Sequence, residues 1–285
     1  MDQRIIDLYD DFTHGGMSRR SFLDKLAALA GSTAAAAALL PILQNNYAMA
    51  QVVQENDPRI TAQTVDIPGA QGLEGYLVKP KDASGKLPAV LVIHENRGLN
   101  PHIRDVTRRM ATEGFLALGL DYLSPMGGTP ADEDKGREMI GQLKQPDVIA
   151  YGKAAVAYLK AHSEGNGKVG AIGFCWGGAA VNNLATNEPD LSAGVAYYGG
   201  QPKAEDVPKI RAALMLHYGG LDDRINAGIP AYEAALKQAG KTYELYVYEG
   251  ANHAFNNDTN AARYDKDAAD LAWSRTVDFL KKHLA

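Results

Sequence analysis

The sequence predicts an α/β fold, in which helices cover both faces of a mostly parallel central sheet. Short apolar runs rich in β-branched residues, such as Ala89–Ile93, recur along the chain and are typical of strands buried on both faces. Segments with helical periodicity separate these runs, and strands that alternate with helices favour parallel pairing. The chain has 285 residues, enough for one large α/β domain or two small ones.

The N-terminal segment has the features of an export signal. The paired arginines Arg19 and Arg20 stand in the sequence Ser-Arg-Arg-Ser-Phe-Leu, and an alanine-rich apolar run follows over residues 26–43. Ala48-Met49-Ala50 is then a small-x-small cleavage site. This arrangement resembles a twin-arginine signal. We therefore expect residues 1–50 to be that signal.

The alternative for this segment is an amphipathic or membrane-anchoring helix. The apolar run is short for a permanent span and is interrupted by Pro41. We expect cleavage near Gln51, a mature domain over residues 51–285, export to the periplasm, no stable membrane anchor after cleavage, and no part for the signal in the fold. Whether the acidic residues 1–16 belong to the true start, with Met17 as the other candidate, stays open.

The first elements of the domain follow in order. The segments Ile60–Pro68 and Leu73–Val78 alternate apolar and polar residues around a Pro-Gly turn, which predicts an antiparallel hairpin. Ala89–Ile93 is a central strand because it is apolar throughout. A helical pattern over His102–Thr112 and another apolar strand over Phe115–Leu120 complete the first βαβ unit.

A Gly- and Pro-rich loop over Ser124–Pro130 leads into the charged stretch Ala131–Leu143, which we expect to lie where a cap or lid covers the site. The rest of the chain alternates again between strands and helices. The predicted elements are helix Val148–Ala161, strand Val169–Ile172, helix Ala179–Leu184, strand Ala193–Tyr198, strand Ala212–His217, helix Pro230–Ala239, strand Tyr243–Tyr248 and helix Asp267–His283.

A sharp glycine-rich turn joins the strand at Val169–Ile172 to the next helix. The turn reads Gly173-Phe174-Cys175-Trp176-Gly177-Gly178, which is the layout of a nucleophile elbow. Such a turn raises its apical side chain above the sheet and points the next backbone N–H, that of Trp176, at a developing oxyanion. The alternative is a small buried cysteine on an ordinary strand–helix turn.

Reactive side chains also follow three other strands. Glu95 follows the first central strand, Asp222 and Asp223 follow a later one, and His253 follows the last. The carboxyl ends of parallel strands meet at one edge of the sheet, so these groups are expected to gather there. A thiol needs a base, and a carboxylate orients that base, so the order cysteine, aspartate, histidine indicates nucleophilic catalysis.

The net charge and the residue composition argue against a nucleic-acid-binding protein, a disulfide-bonded protein and a metalloprotein. The formal net charge of −5 gives no case for nucleic-acid binding, and the single cysteine cannot form an internal disulfide. We predict no metal site, because four histidines show no ligand spacing with cysteine or carboxylates: His94, His102, His162 and His217.

From Val65 to Leu284 the sequence resembles the dienelactone hydrolase family, which has the α/β-hydrolase fold. The resemblance is carried by the cysteine elbow, by Gly220-Leu221-Asp222, by Gly250–Phe255 and by Glu95. It implies that Cys175 is the nucleophile, His253 the base and Asp222, rather than Asp223, the orienting acid. It also implies that Glu95 holds the resting thiol and accepts its proton.

The resemblance further implies oxyanion donors and substrate-binding cations. The donors are the backbone N–H groups of Trp176 and Asn96. The family's arginine four residues after the histidine is Asn257 here, and a tyrosine of the family pattern is Gly141. Arg137 aligns with a second family arginine. Arg97 is the other candidate cation, with a solvated loop residue as its alternative.

The sequence thus predicts an enzyme that cleaves a carboxylic ester or lactone through a Cys175 acyl-enzyme and needs no cofactor. Its partner is the small-molecule substrate, while the oligomeric state stays open. One alternative is a hydrolase of neutral acyl esters or thioesters that uses the same residues. Another is a catalytically silent hydrolase fold that serves as a binding protein.

Overall fold

A computed structural model describes residues 1–48 and 51–285; Met49 and Ala50 of the predicted cleavage site lie outside the described residues. The described residues form one eight-stranded sheet with the order β1-β2-β4-β3-β5-β6-β7-β8. Its strands are β1 (Ile60–Asp66), β2 (Glu74–Pro80), β3 (Leu87–Ile93), β4 (Leu116–Asp121), β5 (Gly165–Phe174), β6 (Leu191–Tyr197), β7 (Ala213–Gly219) and β8 (Tyr243–Tyr248). The strand β2 is antiparallel to β1 and β4, and all other neighbours are parallel.

Seven helices of the described chain follow or connect these strands. They are α4 (Pro101–Thr112), α5 (Glu133–Gln142), α6 (Gln145–Ala161), α7 (Trp176–Asn187), α8 (Asp223–Asn226), α9 (Ile229–Gln238) and α10 (Lys266–Leu284). Helix α4 begins where the Asn100 side chain accepts a hydrogen bond from the Ile103 N–H, which satisfies one free donor of the first turn. Three further helices precede β1: α1 (Gln3–Thr13), α2 (Arg19–Ala30) and α3 (Thr33–Leu43).

The core lies in two layers, one on each face of the sheet. Along β3, Val90 and Val92 face one layer, while Leu91 and Ile93 face the other, and all four are fully buried. Helices α4 and α10 cover the first face, and α6, α7 and α9 cover the second. The α/β fold with a mostly parallel sheet and helices on both faces is therefore confirmed, as is the antiparallel leading hairpin.

Helices α1, α2 and α3 pack together and against the domain that holds the sheet. Helices α1, α2 and α3 share a cluster of buried side chains in which the rings of Phe12 and Phe22 stack at 4.6 Å. Leu26 and Leu43 have no exposed surface, so this cluster is a small core of its own. The expectation that the segment plays no part in the fold is wrong, because its helices bury apolar surface in a defined arrangement.

The apolar run predicted within the export signal is broken in two. In the described part of the chain no single helix is long and apolar enough to cross a membrane. Helices α2 and α3 together pass that test by length and composition, but they meet at an angle of 112°. Gly31 in the left-handed conformation ends α2, and Ser32 caps α3, which explains the break.

Candidate active site

The cysteine lies at the apex of the turn between β5 and α7. Its backbone has φ 55° and ψ −113°, a conformation that costs free energy for a residue with a side chain and is kept only where the surroundings enforce it. A Cβ added at Gly173 would overlap the Gly177 carbonyl, and one added at Gly177 would overlap the carbonyls of Ile93 and His94. The glycines of the elbow are therefore required by close backbone approach, as the sequence pattern predicts.

The structure places Asp222, and not Asp223, beside His253. The Asp222 Oδ2 lies 2.5 Å from His253 Nδ1, and both side chains are buried. Asp223 is the first residue of α8 and is exposed. A carboxylate only accepts, so His253 Nδ1 carries the proton and Nε2 is free to act as a base. That Nε2 is buried and has no hydrogen-bond partner within the described residues.

The partner of the Cys175 sulfur is a residue that the sequence analysis did not single out. His14 follows the last residue of α1, and its Nε2 lies 3.2 Å from Cys175 Sγ. Its ring meets the His253 ring edge-on, with the ring centroids 4.8 Å apart. Two imidazoles therefore face one thiol. No signal in the sequence linked His14 to the elbow, which is 161 residues away.

Glu95 lies at the end of β3 but is not hydrogen-bonded to the sulfur in the described structure. Its Oε2 accepts a hydrogen bond from Asn257 Nδ2 at 2.9 Å and lies 3.8 Å from Arg97 Nη1. All three residues are buried. The predicted contact of Glu95 with the resting thiol is thus not formed, because the amide and the guanidinium hold the carboxylate. Asn257, which stands where the family pattern has an arginine, thus donates a hydrogen bond to Glu95.

Arg97 was predicted either to bind substrate or to be a solvated loop residue, and the structure shows neither environment. Its side chain is only 3 % exposed, so it is not a solvated loop residue, and it does not line the cavity beside Cys175. Its Nε lies 3.0 Å from the Glu133 carboxylate. The charge of Arg97 is therefore compensated inside the protein, and the structure does not bring it to a substrate.

A cavity of about 590 Å³ opens beside Cys175 and His253. Arg137 of α5 lines it, so the charged stretch after β4 lies over the site as predicted. The Arg137 guanidinium lies 2.6 Å from Asp134 Oδ1 and stacks on the Phe12 ring. Arg224 of α8 is a second cation in the wall, which the sequence analysis missed.

The two predicted oxyanion donors belong to residues of the same wall. Asn96 and Trp176 both line the cavity, and Trp176 is the first residue of α7, where N–H groups have no acceptor within the helix. Tyr198 also lines it, with a left-handed φ of 39°. Its hydroxyl is buried and has no partner within the described residues, and burial raises the pKa of Tyr198 well above its usual value.

The side chains at the elbow also form a donor set for a metal. His14, Cys175 and His253 each place one ligand atom within 4.8 Å of the others. A thiolate and two imidazoles suit Zn²⁺. The prediction of no metal site rested on other histidines and did not consider His14. It stays a prediction, and no step of the chemistry below uses a metal.

Comparison with known proteins places this site in a family. The family model described as "Dienelactone hydrolase family" matches residues 73–284. The chain belongs to the dienelactone hydrolase family. Residues 1–31, outside that match, fit a second model described as "YqhI-like". Helix α1 and the His14 that follows it therefore belong to a segment with a family pattern of its own.

Individual relatives agree with membership in the dienelactone hydrolase family. A protein of Escherichia coli K12 named "Putative carboxymethylenebutenolidase" is 32% identical over 247 residues, which cover 81% of this chain and 91% of that protein. The "Putative hydrolase fragment YghX" of the same organism is 51% identical over 111 residues, 38% of this chain and 95% of the fragment. A crystal structure titled as a putative dienelactone hydrolase from Klebsiella pneumoniae has a TM-score of 0.71 at 30% identity, covering 78% of this chain and 98% of its own.

The family and its relatives confirm the predicted class of enzyme, a carboxylic ester hydrolase with the α/β-hydrolase fold. The geometry adds that Cys175 and His253 line one cavity and that Asp222 contacts His253. Three residues of the cavity wall were not predicted from the sequence: His14, Tyr198 and Arg224. Only Tyr198 carried a usable signal, since it directly follows a strand whose carboxyl end borders the elbow.

Proposed function

We propose that the protein hydrolyses a small carboxylic ester or lactone through an acyl-enzyme on Cys175. The Cys175 thiol gives its proton to a neighbouring base, and the sulfur attacks the carbonyl carbon. The N–H groups of Asn96 and Trp176 bind the oxyanion that develops. Collapse of the tetrahedral intermediate expels the alkoxide, which takes up a proton, and leaves a thioester on Cys175.

His253 and Asp222 act in the second half of the reaction. His253 Nε2 removes a proton from water, and the hydroxide attacks the thioester. Collapse releases the acid and returns the proton to the sulfur, so the net reaction adds one water across the ester bond. Asp222 keeps the His253 ring in the tautomer with a free Nε2 and stabilises the imidazolium.

One observation supports this proposal above all. The strained residue at the elbow is a cysteine, and a histidine paired with a buried carboxylate borders the same cavity. A silent binding protein would have no use for a residue at φ 55° or for an imidazole with a free, buried nitrogen. Hydrolysis of neutral acyl esters or thioesters by the same residues is the other candidate, because the cavity wall includes carboxylates as well as cations.

Replacement of the nucleophile tests the proposal. The full chain is assayed with p-nitrophenyl acetate and a panel of lactones, and Cys175→Ala is expected to lower kcat by several orders of magnitude. Iodoacetamide should abolish turnover in step with alkylation, since Cys175 is the only cysteine. Mass spectrometry should find an acyl adduct on the parent chain. An alanine variant with full activity would contradict a covalent role for the thiol.

We further propose, from the sequence pattern alone, that the chain is exported by the twin-arginine route to the periplasm. The support for this proposal is the Ser-Arg-Arg-Ser-Phe-Leu motif followed by the apolar residues 26–43.

A further inference from the structure

An imidazole from outside the catalytic domain holds the proposed nucleophile. His14 Nε2 is the hydrogen-bond partner of Cys175 Sγ among the described residues, at 3.2 Å. Helix α1 ends at Thr13, and Gly15, with φ 84°, turns the chain away, so His14 stands at the tip of this helix and faces the cavity.

The hydrogen bonds of His14 determine which nitrogen can take a proton. The Nδ1 lies 2.8 Å from the Asp10 carbonyl oxygen and 3.4 Å from the Asp10 carboxylate. Both of these groups only accept hydrogen bonds, so Nδ1 carries the proton, and the Nε2 lone pair points at the thiol.

Asp10 also fixes this helix tip to the catalytic domain. Its carboxylate lies 3.2 Å from Arg263 Nη1 and 3.3 Å from Arg224 Nη2. Burial raises the pKa of Asp10, but the nearby cationic groups and the hydrogen bond with His14 outweigh burial and hold it below its usual range. Next to His14, the Thr13 carbonyl accepts a hydrogen bond from Asn96 Nδ2 at 2.8 Å. The position of His14 is therefore fixed by the ion pairs of Asp10 and by the hydrogen bond from Asn96 to the Thr13 carbonyl.

The other two candidate bases, Glu95 and His253, make no hydrogen bond to the Cys175 sulfur in the described structure. The Glu95 carboxylate is held by Asn257 and Arg97, and it makes no hydrogen bond to the sulfur in the described structure. His253 is oriented by Asp222, but its Nε2 has no partner there. Of the three groups, His14 alone is hydrogen-bonded to the thiol.

We propose that His14 is the base that takes the proton of the Cys175 thiol, with Asp10 as its positioning residue. The S–H bond breaks, the proton moves to His14 Nε2, and the electron pair stays on the sulfur, giving a thiolate–imidazolium pair before substrate binds. After attack, the imidazolium returns this proton to the leaving alkoxide. His253 is then free for the water of the second half-reaction. This inference rests on the proposed function and assigns the acylation step to a residue of the N-terminal segment.

The pH dependence of alkylation tests the pairing without any substrate. An ordinary thiol, with a pKa of about 8.5, is only about 0.3 % ionised at pH 6. The full chain is treated with iodoacetamide from pH 5 to 10 in the presence of EDTA, so that no metal on the His14–Cys175–His253 set alters the rate. We expect the parent rate at pH 6 to stay within about threefold of the rate at pH 9, and the rate of His14→Gln to fall at least about tenfold over the same range.

Matched variants separate the loss of a base from a loosened helix. Gln3→Ala removes the hydrogen bond between Gln3 and Asn252, at the other end of α1, and should change the overall rate but leave its pH midpoint in place. Glu95→Gln and His253→Gln remove the competing bases. A midpoint that moves in either of these variants and stays in His14→Gln would overturn the proposal. Thermal unfolding of each variant checks that the chain is folded.

Pre-steady-state kinetics with p-nitrophenyl acetate separate the two histidines. His14→Gln should slow the burst of nitrophenol, which reports acylation, and His253→Gln should slow the steady state that follows. Added imidazole should restore part of the burst rate in His14→Ala. If the parent hydrolyses no ester while the alkylation midpoint still moves in His14→Gln, the proposed function fails and the pairing stands. If the parent turns over and the burst and midpoint of His14→Gln equal those of the parent, the inference fails and the proposed function stands.

Discussion

At the scale of single residues, two adjacent aspartates offer a sharp test of the site. The Asp222 carboxylate accepts a hydrogen bond from His253 Nδ1 at 2.5 Å, while Asp223 is exposed on α8. We expect Asp222→Asn to lower kcat on the order of 10⁴-fold, because an amide no longer selects the tautomer with a free Nε2. Asp223→Asn should change kcat little. The reverse ranking in steady-state assays would mean that the acid had been misplaced by one residue.

The preference for charged or neutral substrates should depend on Arg137, the predicted cation that lies in the cavity wall. Burial and the charge of Arg97 lower its pKa, and Asp134 neutralises part of its charge. We expect a weak preference for a carboxylate-bearing lactone over its methyl ester. The family's arginine is Asn257 here, and losing one hydrogen bond to a charged group is worth about 1.5–3 kcal/mol, or about ten- to over a hundredfold in affinity, which is why the preference should be weak. Arg137→Ala should erase the preference that remains and leave kcat/KM for the methyl ester unchanged.

The matched control for Arg137 is Arg224→Ala. Arg224 is the second cation of the wall, but its guanidinium lies against Asp10. If Arg224→Ala removes the preference and Arg137→Ala does not, the substrate carboxylate binds at α8 instead of α5. Equal kcat/KM for the methyl ester in parent and Arg137→Ala would show that the loss concerns charge and not folding.

At the scale of elements, one buried histidine joins β7 to its neighbours. His217 Nδ1 lies 2.9 Å from the Tyr248 hydroxyl at the end of β8, and its Nε2 lies 3.1 Å from Thr276 Oγ1 of α10. Burial, with a smaller contribution from Arg275, lowers the pKa of His217 to about 3. Its imidazole is therefore neutral in the folded state at pH 5, where the unfolded chain would protonate it.

The free energy of unfolding should decrease as the pH falls, because the unfolded chain protonates His217 and the folded protein does not. The folded pKa lies below the unfolded value of about 6.5, so the contribution is complete above that pH and is lost as pH falls toward 3. Between pH 7 and pH 5 the loss from this group is about 2 kcal/mol. Urea unfolding at the two pH values measures it. His217→Gln should reduce the difference by that amount, and an unchanged difference would contradict the assignment.

At the scale of the whole molecule, the N-terminal segment has two proposed roles that one set of experiments separates. For export, Arg19→Lys with Arg20→Lys should keep the protein in the cytoplasm, as judged by cell fractionation, because the receptor reads paired arginines. Among the described residues Arg19 forms an exposed ion pair with Asp134 and no other, worth about 0–1 kcal/mol, so the double variant should stay folded. Export of the double variant at the parent level would exclude the twin-arginine route.

The first residue of the exported protein shows whether His14 is still part of the chain after export. Sequencing is expected to begin near Gln51, which would restrict His14 to the protein before cleavage. An exported species that begins at Met1 or Met17 would contradict cleavage. Only the species beginning at Met1 would keep the Asp10–His14 tip of α1 at the thiol.

The sequence by itself determined the fold class and the central part of the site. Each strand was predicted within a few residues. The central strands form apolar runs because they are buried on two faces, the leading hairpin alternates apolar and polar residues, and both patterns are local. The elbow was readable for the same reason: Gly173 and Gly177 are needed by backbone contacts within one turn and its adjoining strand. Cys175, His253 and the pair Asp222 and Asp223 followed, since each is tied to the end of a predicted strand, and the resemblance to the family favoured Asp222.

Only the tertiary structure decided which groups surround the thiol. His14 and Cys175 are 161 residues apart, and the Glu95–Asn257 hydrogen bond spans 162 residues. Periodicity and turn residues report backbone conformation over a few residues, whereas these pairs depend on how α1 and the strand-end loops pack. Arg97 shows the same limit. It lies only two residues after Glu95, yet its burial depends on Glu133, a residue of the segment that covers the site.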